Sequence, residues 1–426
     1  MIFETFFRVL DGIIASAIAV FFASWWVIVP LAMAFIFWNF WLYHIYVKYL
    51  RSINWVLLEI KIPAVIEKTP KAMEQIFAAV YGIFSFGFTL RQKYIEGHLR
   101  EDWISFELIG FAGGVHFYVR TPDIYRNLVE SAVYAQYPDA EVHEAPDYMD
   151  LFPRTLPNKT YDIFGTDYHL VRENAYPVQT YDFWEEAQEE KRLDPIAAIT
   201  EAMSKLKNDE AIWIQMFVRP TGNEWKKEGE ALRDKLIGRK KPAAPKGLLG
   251  GLGEFAKNLT TAALEHPEWE VAAEKKEGPN PLMLMTQGER DVVEAIEKKI
   301  AKLGFDVNIR FVYIDKRESF TRSNVAAVMS TFHQFATQNL NSFRPNIESL
   351  TVVRGNIKAF KSRRLWYKKR RIWENYHKMI WPHKTCILNT EELATIYHFP
   401  SLVVEAPLLR RLGAKKGEPP AGLPVE

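Results

Sequence analysis

The sequence predicts an α+β protein: an N-terminal transmembrane helix, then two ferredoxin-like (βαββαβ-type) units, the second carrying a long insertion, then a helical or extended C-terminal tail. Two observations predict it. The stretch Gly12–Tyr43 contains no Asp, Glu, Lys, Arg or His, as a bilayer segment requires. From Asn54 onward, short alternating apolar and polar runs are interleaved with runs of helical periodicity, in the order β-α-β-β-α-β to about residue 145. That order is the split βαβ arrangement of an antiparallel sheet backed by two helices.

The apolar run would make a helix of roughly 48 Å, against a hydrocarbon core of about 30 Å. One span with surplus is expected, at Ser24–Tyr46, because Trp25 and Trp26 mark one end and Trp38, Trp41, Tyr43, Tyr46 and Tyr49 the other, where amphipathic rings favour the headgroup layer. Residues before Ser24 then read as an interfacial helix, so that residues 1–50 form the anchor region. The alternative is a hairpin breaking at Pro30, whose arms of about 17 residues sit at the lower limit for spanning. A cleaved signal peptide fits poorly, since only Arg8 stands against Glu4 and Asp11 where a basic flank belongs. Lys48 and Arg51 follow the span directly, so the positive-inside rule expects a single-pass protein of the cytoplasmic (inner) membrane with its bulk in the cytoplasm.

Residues 51–147 hold the first unit. Val56, Leu58, Ile60 and Ile62 alternate as a strand, and Thr69-Pro70 opens a helix carrying Met73, Ile76, Phe77 and Val80. Ile104, Phe106 and Leu108 alternate next, Ala112-Gly113-Gly114 supplies a turn, and Val115, Phe117 and Val119 alternate back as a hairpin. Thr121-Pro122-Asp123 opens a second helix, and Ala140–Glu144 reads as a short final strand.

Residues 148–350 hold the second unit. After a Pro- and Tyr-rich connection with a strand at Tyr161–Val171, Asp194-Pro195 starts a helix and Ala211–Arg219 a strand. The stretch 238–281, rich in Gly, Pro, Ala and Lys, reads as a mobile insertion, within which 247–264 is either a linker or a short membrane-surface segment. Thr286 with Glu289 forms a capping box ahead of Val292, Val293, Ile296 and Ile300. Phe305–Ile314 alternates as a strand, and Ser319–Asn339 reads as a helix.

Segment 351–387 is basic and aromatic. Lys358, Lys361, Arg363, Arg364, Lys368, Lys369, Arg370 and Arg371 are interleaved with Phe360, Trp366 and Tyr367. Such a patch suits polyanions: nucleic-acid phosphates with bases stacked on the rings, or anionic lipid headgroups. A solvated helix end or a face for an acidic partner is the plainer reading. The net charge of +2 argues nothing by itself, and the one cysteine, Cys386, set in Thr385-Cys386-Ile387-Leu388, reads as a small core residue.

Catalytic signatures are missing. The sequence has no GxxxxGK[ST], GxSxG or HExxH, and the glycines at 247–253 lack the following Lys-Ser/Thr that a phosphate cradle needs. A non-enzyme without cofactor or metal is expected.

The C-terminal text Leu388–Pro400 (LNTEELATIYHFP), Val404–Pro407 and Gly417–Pro424 resembles the stretch ahead of the motor domain in type IV secretion and conjugation ATPases of the TraG/TraD and HerA-like group. Trp55–Pro63, Thr69–Glu74 and Tyr134–Ala140 are similar to the N-terminal region of the same proteins. The text stops at Glu426, where the family's motor would begin, so ATP hydrolysis is not carried over. The resemblance implies a non-enzymatic, membrane-anchored platform of a DNA- or protein-translocating system whose tail, 388–426, docks a separate RecA-like ATPase through Leu393, Ile396, Tyr397, Phe399 and Pro400. The bilayer and that ATPase are the expected partners, with DNA and further copies of the chain as additional ones. The alternative is a membrane-tethered nucleic-acid-binding protein using 358–371.

Overall fold

A computed structural model describes residues 2–62, 68–85, 87–112, 114–184, 194–238, 285–353 and 360–400, with side chains from residue 22 onward. The described chain divides into two compact units, one made of Met1–Trp55 with Phe84–Asp102, the other of Val56–Ile83 with Trp103–Glu426.

The first unit is built on α1, a single helix from Ile2 to Ser52. It runs unbroken through Pro30, so the chain adopts neither a hairpin at that proline nor a separate helix before Ser24. Proline costs one backbone hydrogen bond there. Within α1, Phe22–Ser52 is long and apolar enough to cross a membrane, and Trp26, Leu31, Phe35, Phe37 and Phe40 point outward, exposed. The stretch after Phe84, which reads as a mere connection in the sequence, packs along the end of this helix. Tyr94 meets Trp38 with ring centroids 5.6 Å apart, His98 meets Tyr49 at 4.2 Å, and the Tyr49 hydroxyl donates to Asp102 at 2.6 Å. Gly97 makes that approach feasible: its φ is +87°, and a Cβ there would lie 2.5 Å from the carbonyl oxygen of Ile45.

The second unit is one nine-stranded antiparallel sheet between two layers. Its first strands are β1 (Trp55–Lys61), β2 (Ile104–Phe111), β3 (Gly114–Pro122) and β4 (Glu141–Glu144), lying side by side in the order β4-β1-β3-β2. The remaining strands are β5 (Tyr161–Leu170), β6 (Ala211–Pro220), β7 (Gly304–Lys316), β8 (Phe343–Pro345) and β9 (Cys386–Asn389). They continue the sheet as β6-β7-β5-β8, with β9 pairing β7. In their own chain order, β8, β5, β7 and β6 are the fourth, first, third and second strands, the same order as in the first half. The halves meet through their second strands, β2 pairing β6 from Ile104↔Val218 to Phe111↔Ala211.

The expected division into separate domains at 147/148 is therefore corrected. A free β2 would present an apolar edge with unpaired N–H and C=O groups, and β6 satisfies it along its whole length.

One sheet face is covered by α2 (Lys71–Val80), α3 (Arg126–Gln136), α4 (Ala197–Ser204), α7 (Arg322–Thr331) and α9 (Thr390–Ile396). The predicted inward residues of α2, Met73, Ile76, Phe77 and Val80, are all buried there. The other face is covered by α8 (Lys361–His377) and the 148–156 segment, through Ile372, Trp373 and Tyr376 stacked near Trp213. A smaller cluster joins α5 (Glu224–Leu236) to α6 (Gln287–Ile300). Thr286 and Glu289 form the expected capping box of α6.

Two helices are shorter than the sequence reads. α4 starts at Ala197, two residues past Pro195, and α7 ends at Thr331, giving way to a 3-10 turn at Phe332–Phe335. The insertion expected at 238–281 lies, beyond Gly238, outside the described residues.

Candidate functional site

A row of four polar side chains crosses the middle of the sheet. The registers place Glu107 of β2 opposite Gln215 of β6, Gln215 opposite Arg310 of β7, and Arg310 opposite Asp167 of β5. All four are buried. Arg310 donates from Nε to Asp167 at 2.8 Å, from Nη1 to the Asn375 carbonyl at 2.8 Å and from Nη2 to the Ile380 carbonyl at 3.1 Å. Glu107 accepts from Ser105, Tyr148 and Gln215 at 2.8, 2.8 and 3.2 Å. Tyr376 completes the chain by bonding the Tyr148 hydroxyl at 2.7 Å. Arg120 forks onto Asp147 at 2.8 and 3.0 Å, with its Nε 3.4 Å from Glu107.

Charges so deep in a protein persist only when paired. Here each carboxylate meets a guanidinium, and burial pushes the Tyr148 and Tyr376 hydroxyls well above their ordinary pKa. Through the Arg310 bonds to the carbonyls of Asn375 and Ile380, the row ties the segment 375–380 to the sheet.

The predicted polyanion-binding residues separate into two groups on α8. Lys358 lies outside the described residues. Lys369 binds both oxygens of Asp162 at 2.7 Å, Arg370 binds Glu374 one turn on at 2.6 Å, and Lys368 donates to the carbonyls of Ile347 and Leu350 at 2.8 and 3.0 Å. Arg363 lies over the Tyr367 ring, 5.7 Å from its centre. Lys361, Arg364 and Arg371 are exposed and have no carboxylate in ion-pair range among the described residues. Trp366 and Tyr367 stand beside them, 45% and 53% exposed.

The expected docking residues are corrected by their burial. Leu393, Ile396, Tyr397 and Phe399 belong to the main core, and Pro400 is buried too. Tyr397 packs on Phe106 and Phe117 and donates to the Tyr118 carbonyl at 3.2 Å, while Phe399 meets Phe117 and Tyr137 at 5.1 and 5.0 Å. Burying each such side chain contributes about 1.5–3 kcal/mol, which docking to a partner would have to replace. The segment is held by charge as well. Lys299 Nζ lies 3.0 Å from Glu392, both fully buried, and Lys302 reaches Glu391 and Glu74 at 2.6 and 2.8 Å. His398 bonds Asp194 at 2.9 Å. Residues 401–426 lie outside the described residues.

Cys386 is buried in β9, its thiol pushed up to about 12 by burial. Among the described residues no group of three His, Cys, Asp or Glu is placed to hold a metal ion.

Among the described residues this unit has cavities of about 640, 300 and 270 Å³, the second lined by Tyr81, Trp225, Ile300 and Lys302. The first lies between 177–183, α6 and 337–340. Of its charged walls, Lys298 pairs with Asp182 and Glu391, Lys299 pairs with the buried Glu392, and Asp291 accepts from Gln287 at 2.7 Å. The third lies between α8, residues 346–349 and Ile380–Lys384, with Lys368, Arg371 and Lys384 on its walls.

Sequence reasoning reached Lys368 and Arg371 through the basic run, but not Lys384 or the buried row. The signal for the row was present: Glu107 and Arg310 sit within strands flanked by large apolar residues, and a buried charge at such a position needs a partner across the sheet.

A search of curated proteins finds no match. A family model described as a domain of unknown function, DUF8128, matches residues 59–409. That range covers the sheet of the second unit and both of its layers, and the chain belongs to the DUF8128 family.

Proposed function

We infer that this chain is a non-enzymatic, membrane-anchored platform of a type IV secretion or conjugation-like translocation system, on which a separate RecA-like ATPase docks. The observation that carries the reading is α1, whose Phe22–Ser52 stretch is long and apolar enough to cross a membrane and exposes its apolar side chains, in a chain whose second unit commits its buried charges to one another. The body is read as two ferredoxin-like units fused edge to edge, supported by the strand order each half repeats. The basic flank at Lys48 and Arg51 favours a cytoplasmic body. The resemblance of 388–424 to the linker ahead of coupling ATPase motors supports the choice of partner. Docking then falls to surface residues, because 393–400 are interior.

The test is reconstitution of the full chain in nanodiscs with a candidate RecA-like motor encoded beside it. Saturable binding of the motor, and stimulation of its ATPase rate, are expected. No binding by any such motor overturns the platform reading. ATP hydrolysis by the purified chain, with an inactive-motor control silent, overturns the non-enzymatic part.

Exposed Lys361, Arg363, Arg364 and Arg371 beside Trp366 and Tyr367 support a second reading, tethered nucleic-acid binding. It requires salt-dependent DNA affinity that is lost when these four charges are reversed.

A further inference from the structure

We propose that the cleft of about 270 Å³ between α8 and the Ile380–Lys384 segment binds a phosphomonoester group, with Lys368, Arg371 and Lys384 as its cationic walls. The proposal is independent of the platform reading.

Charge balance selects the ligand. Three cations face the cleft, together with the carboxylates of Glu348 and Asp167. Asp167 is already neutralised by Arg310 at 2.8 Å, leaving Glu348, which pairs with Lys384 at 2.7 Å. The remaining balance is +2, which matches the charge of about −1.5 to −2 carried by a phosphomonoester near neutral pH. A carboxylate ligand would leave one positive charge uncompensated.

The donors suit the same group. Arg371 offers an exposed guanidinium without a carboxylate in ion-pair range among the described residues, and a guanidinium fork matches phosphate oxygens. Lys368 spends two of its three protons on the carbonyls of Ile347 and Leu350, which fixes the ammonium in place and leaves one proton to donate. Burial, then the nearby charges of Arg364 and Arg371, hold Lys368 below its ordinary pKa. Lys384 and Arg344, after burial, act in the same direction on His169, whose buried Nδ1 has no hydrogen-bond partner. In both cases burial leads, these cations add to it, and Glu348 opposes them. The cleft also has apolar wall, Ile372, Trp381 and Pro382, so it accepts the carbon skeleton behind a phosphate. That skeleton belongs either to a lipid headgroup or to a free phosphorylated compound.

The experiment is calorimetric titration of the full chain in a non-ionic detergent with inorganic phosphate, glycerol 3-phosphate, dihexanoyl phosphatidic acid and dihexanoyl phosphatidylcholine. The phosphomonoesters are expected to bind, and the phosphatidylcholine is not. Phosphatidic acid binding about tenfold or more tighter than glycerol 3-phosphate assigns the lipid source, and equal affinity assigns the free one. Arg371→Glu and Lys384→Glu alter exposed side chains and should each weaken binding about tenfold or more, as expected for charge-assisted contacts. Glu348→Gln removes the opposing charge and should tighten it. Three results overturn the proposal: no phosphomonoester binding, equal binding of phosphatidylcholine, or affinities unmoved by Glu348→Gln and Arg371→Glu but reduced by Lys361→Glu on the open face of α8.

Discussion

Replacing Glu392 with alanine tests whether 386–400 is interior structure. The Glu392 carboxylate faces Lys299 Nζ at 3.0 Å and accepts from the backbone N–H groups of Val178 and Asn389 at 2.8 and 2.9 Å. Burial pushes its pKa up, and Lys299 together with those two N–H donors opposes that push. Alanine removes the acceptor for all three donors at once and strands an ammonium in the core. Breaking a buried pair from one side costs about 3–5 kcal/mol, or roughly two to three and a half orders of magnitude in the unfolding equilibrium. The assay is urea unfolding of the full chain in detergent, followed by tryptophan fluorescence. Trp213 and Trp373, buried and stacked with centroids 5.8 Å apart, serve as reporters. The double variant Lys299→Met/Glu392→Leu, which removes both charges at similar volume, should recover most of the loss. A change below about 0.5 kcal/mol for Glu392→Ala, the range of ordinary surface substitutions, would refute the burial of this segment. A double variant as unstable as the single one would refute the stranded charge as the cause.

Two further predictions concern other parts of the chain. Gly97→Val should release 84–102 from α1, since a Cβ in the left-handed region costs about 1–2 kcal/mol and here also meets the Ile45 carbonyl. Trypsin should then cut faster at Arg91, Lys93 and Arg100, and an unchanged cleavage pattern would contradict that packing. In the second unit the Glu59 carboxylate bonds His116 at 2.7 Å and His143 at 3.0 Å, and the bond to His116 holds its pKa below the ordinary 4.5. A depressed acid stabilises the fold above its unfolded pKa, and that stability is lost as pH falls through the folded value. Stability should therefore decline below pH 4.5, and Glu59→Gln should flatten this acid limb. Parallel urea midpoints for the two proteins from about pH 6 to pH 3 would refute the linkage.

Much of the local structure was legible in the residues. The alternation of Val56–Ile62, Ile104–Gly110, Val115–Val119 and Phe305–Ile314 marks strands β1, β2, β3 and β7, because period two separates the faces of a sheet. Thr286 with Glu289 announced the start of α6 for a reason as local, two orphan backbone donors satisfied within one turn. The partners of these elements were not legible. Nothing in the text of β2 names β6 as its neighbour, because the pairing of Glu107 with Gln215 joins residues more than 100 positions apart. The basic run on α8 looked like one continuous polyanion surface, yet Asp162, far back in β5, claims Lys369, and the carbonyls of the 347–350 turn claim Lys368. The cleft is assembled from residues 346–349, 367–375 and 380–384, so no single window of sequence displays it.

The sequence alone determined the apolar anchor that opens the chain, the α+β character, most strand positions and the location of the cationic helix, since each depends on neighbours a few residues apart. The tertiary structure decided three matters the sequence could not: that two strand sets form one sheet, which cations stay unpaired, and that Thr390–Pro400 lies inside the body. The last is the plainest case. Thr390, Glu391 and Glu392 are polar and read as surface, but a buried charge is tolerated where opposite charges are brought to it. Lys299 and Lys302, about 90 residues earlier, supply those charges only once the chain has folded.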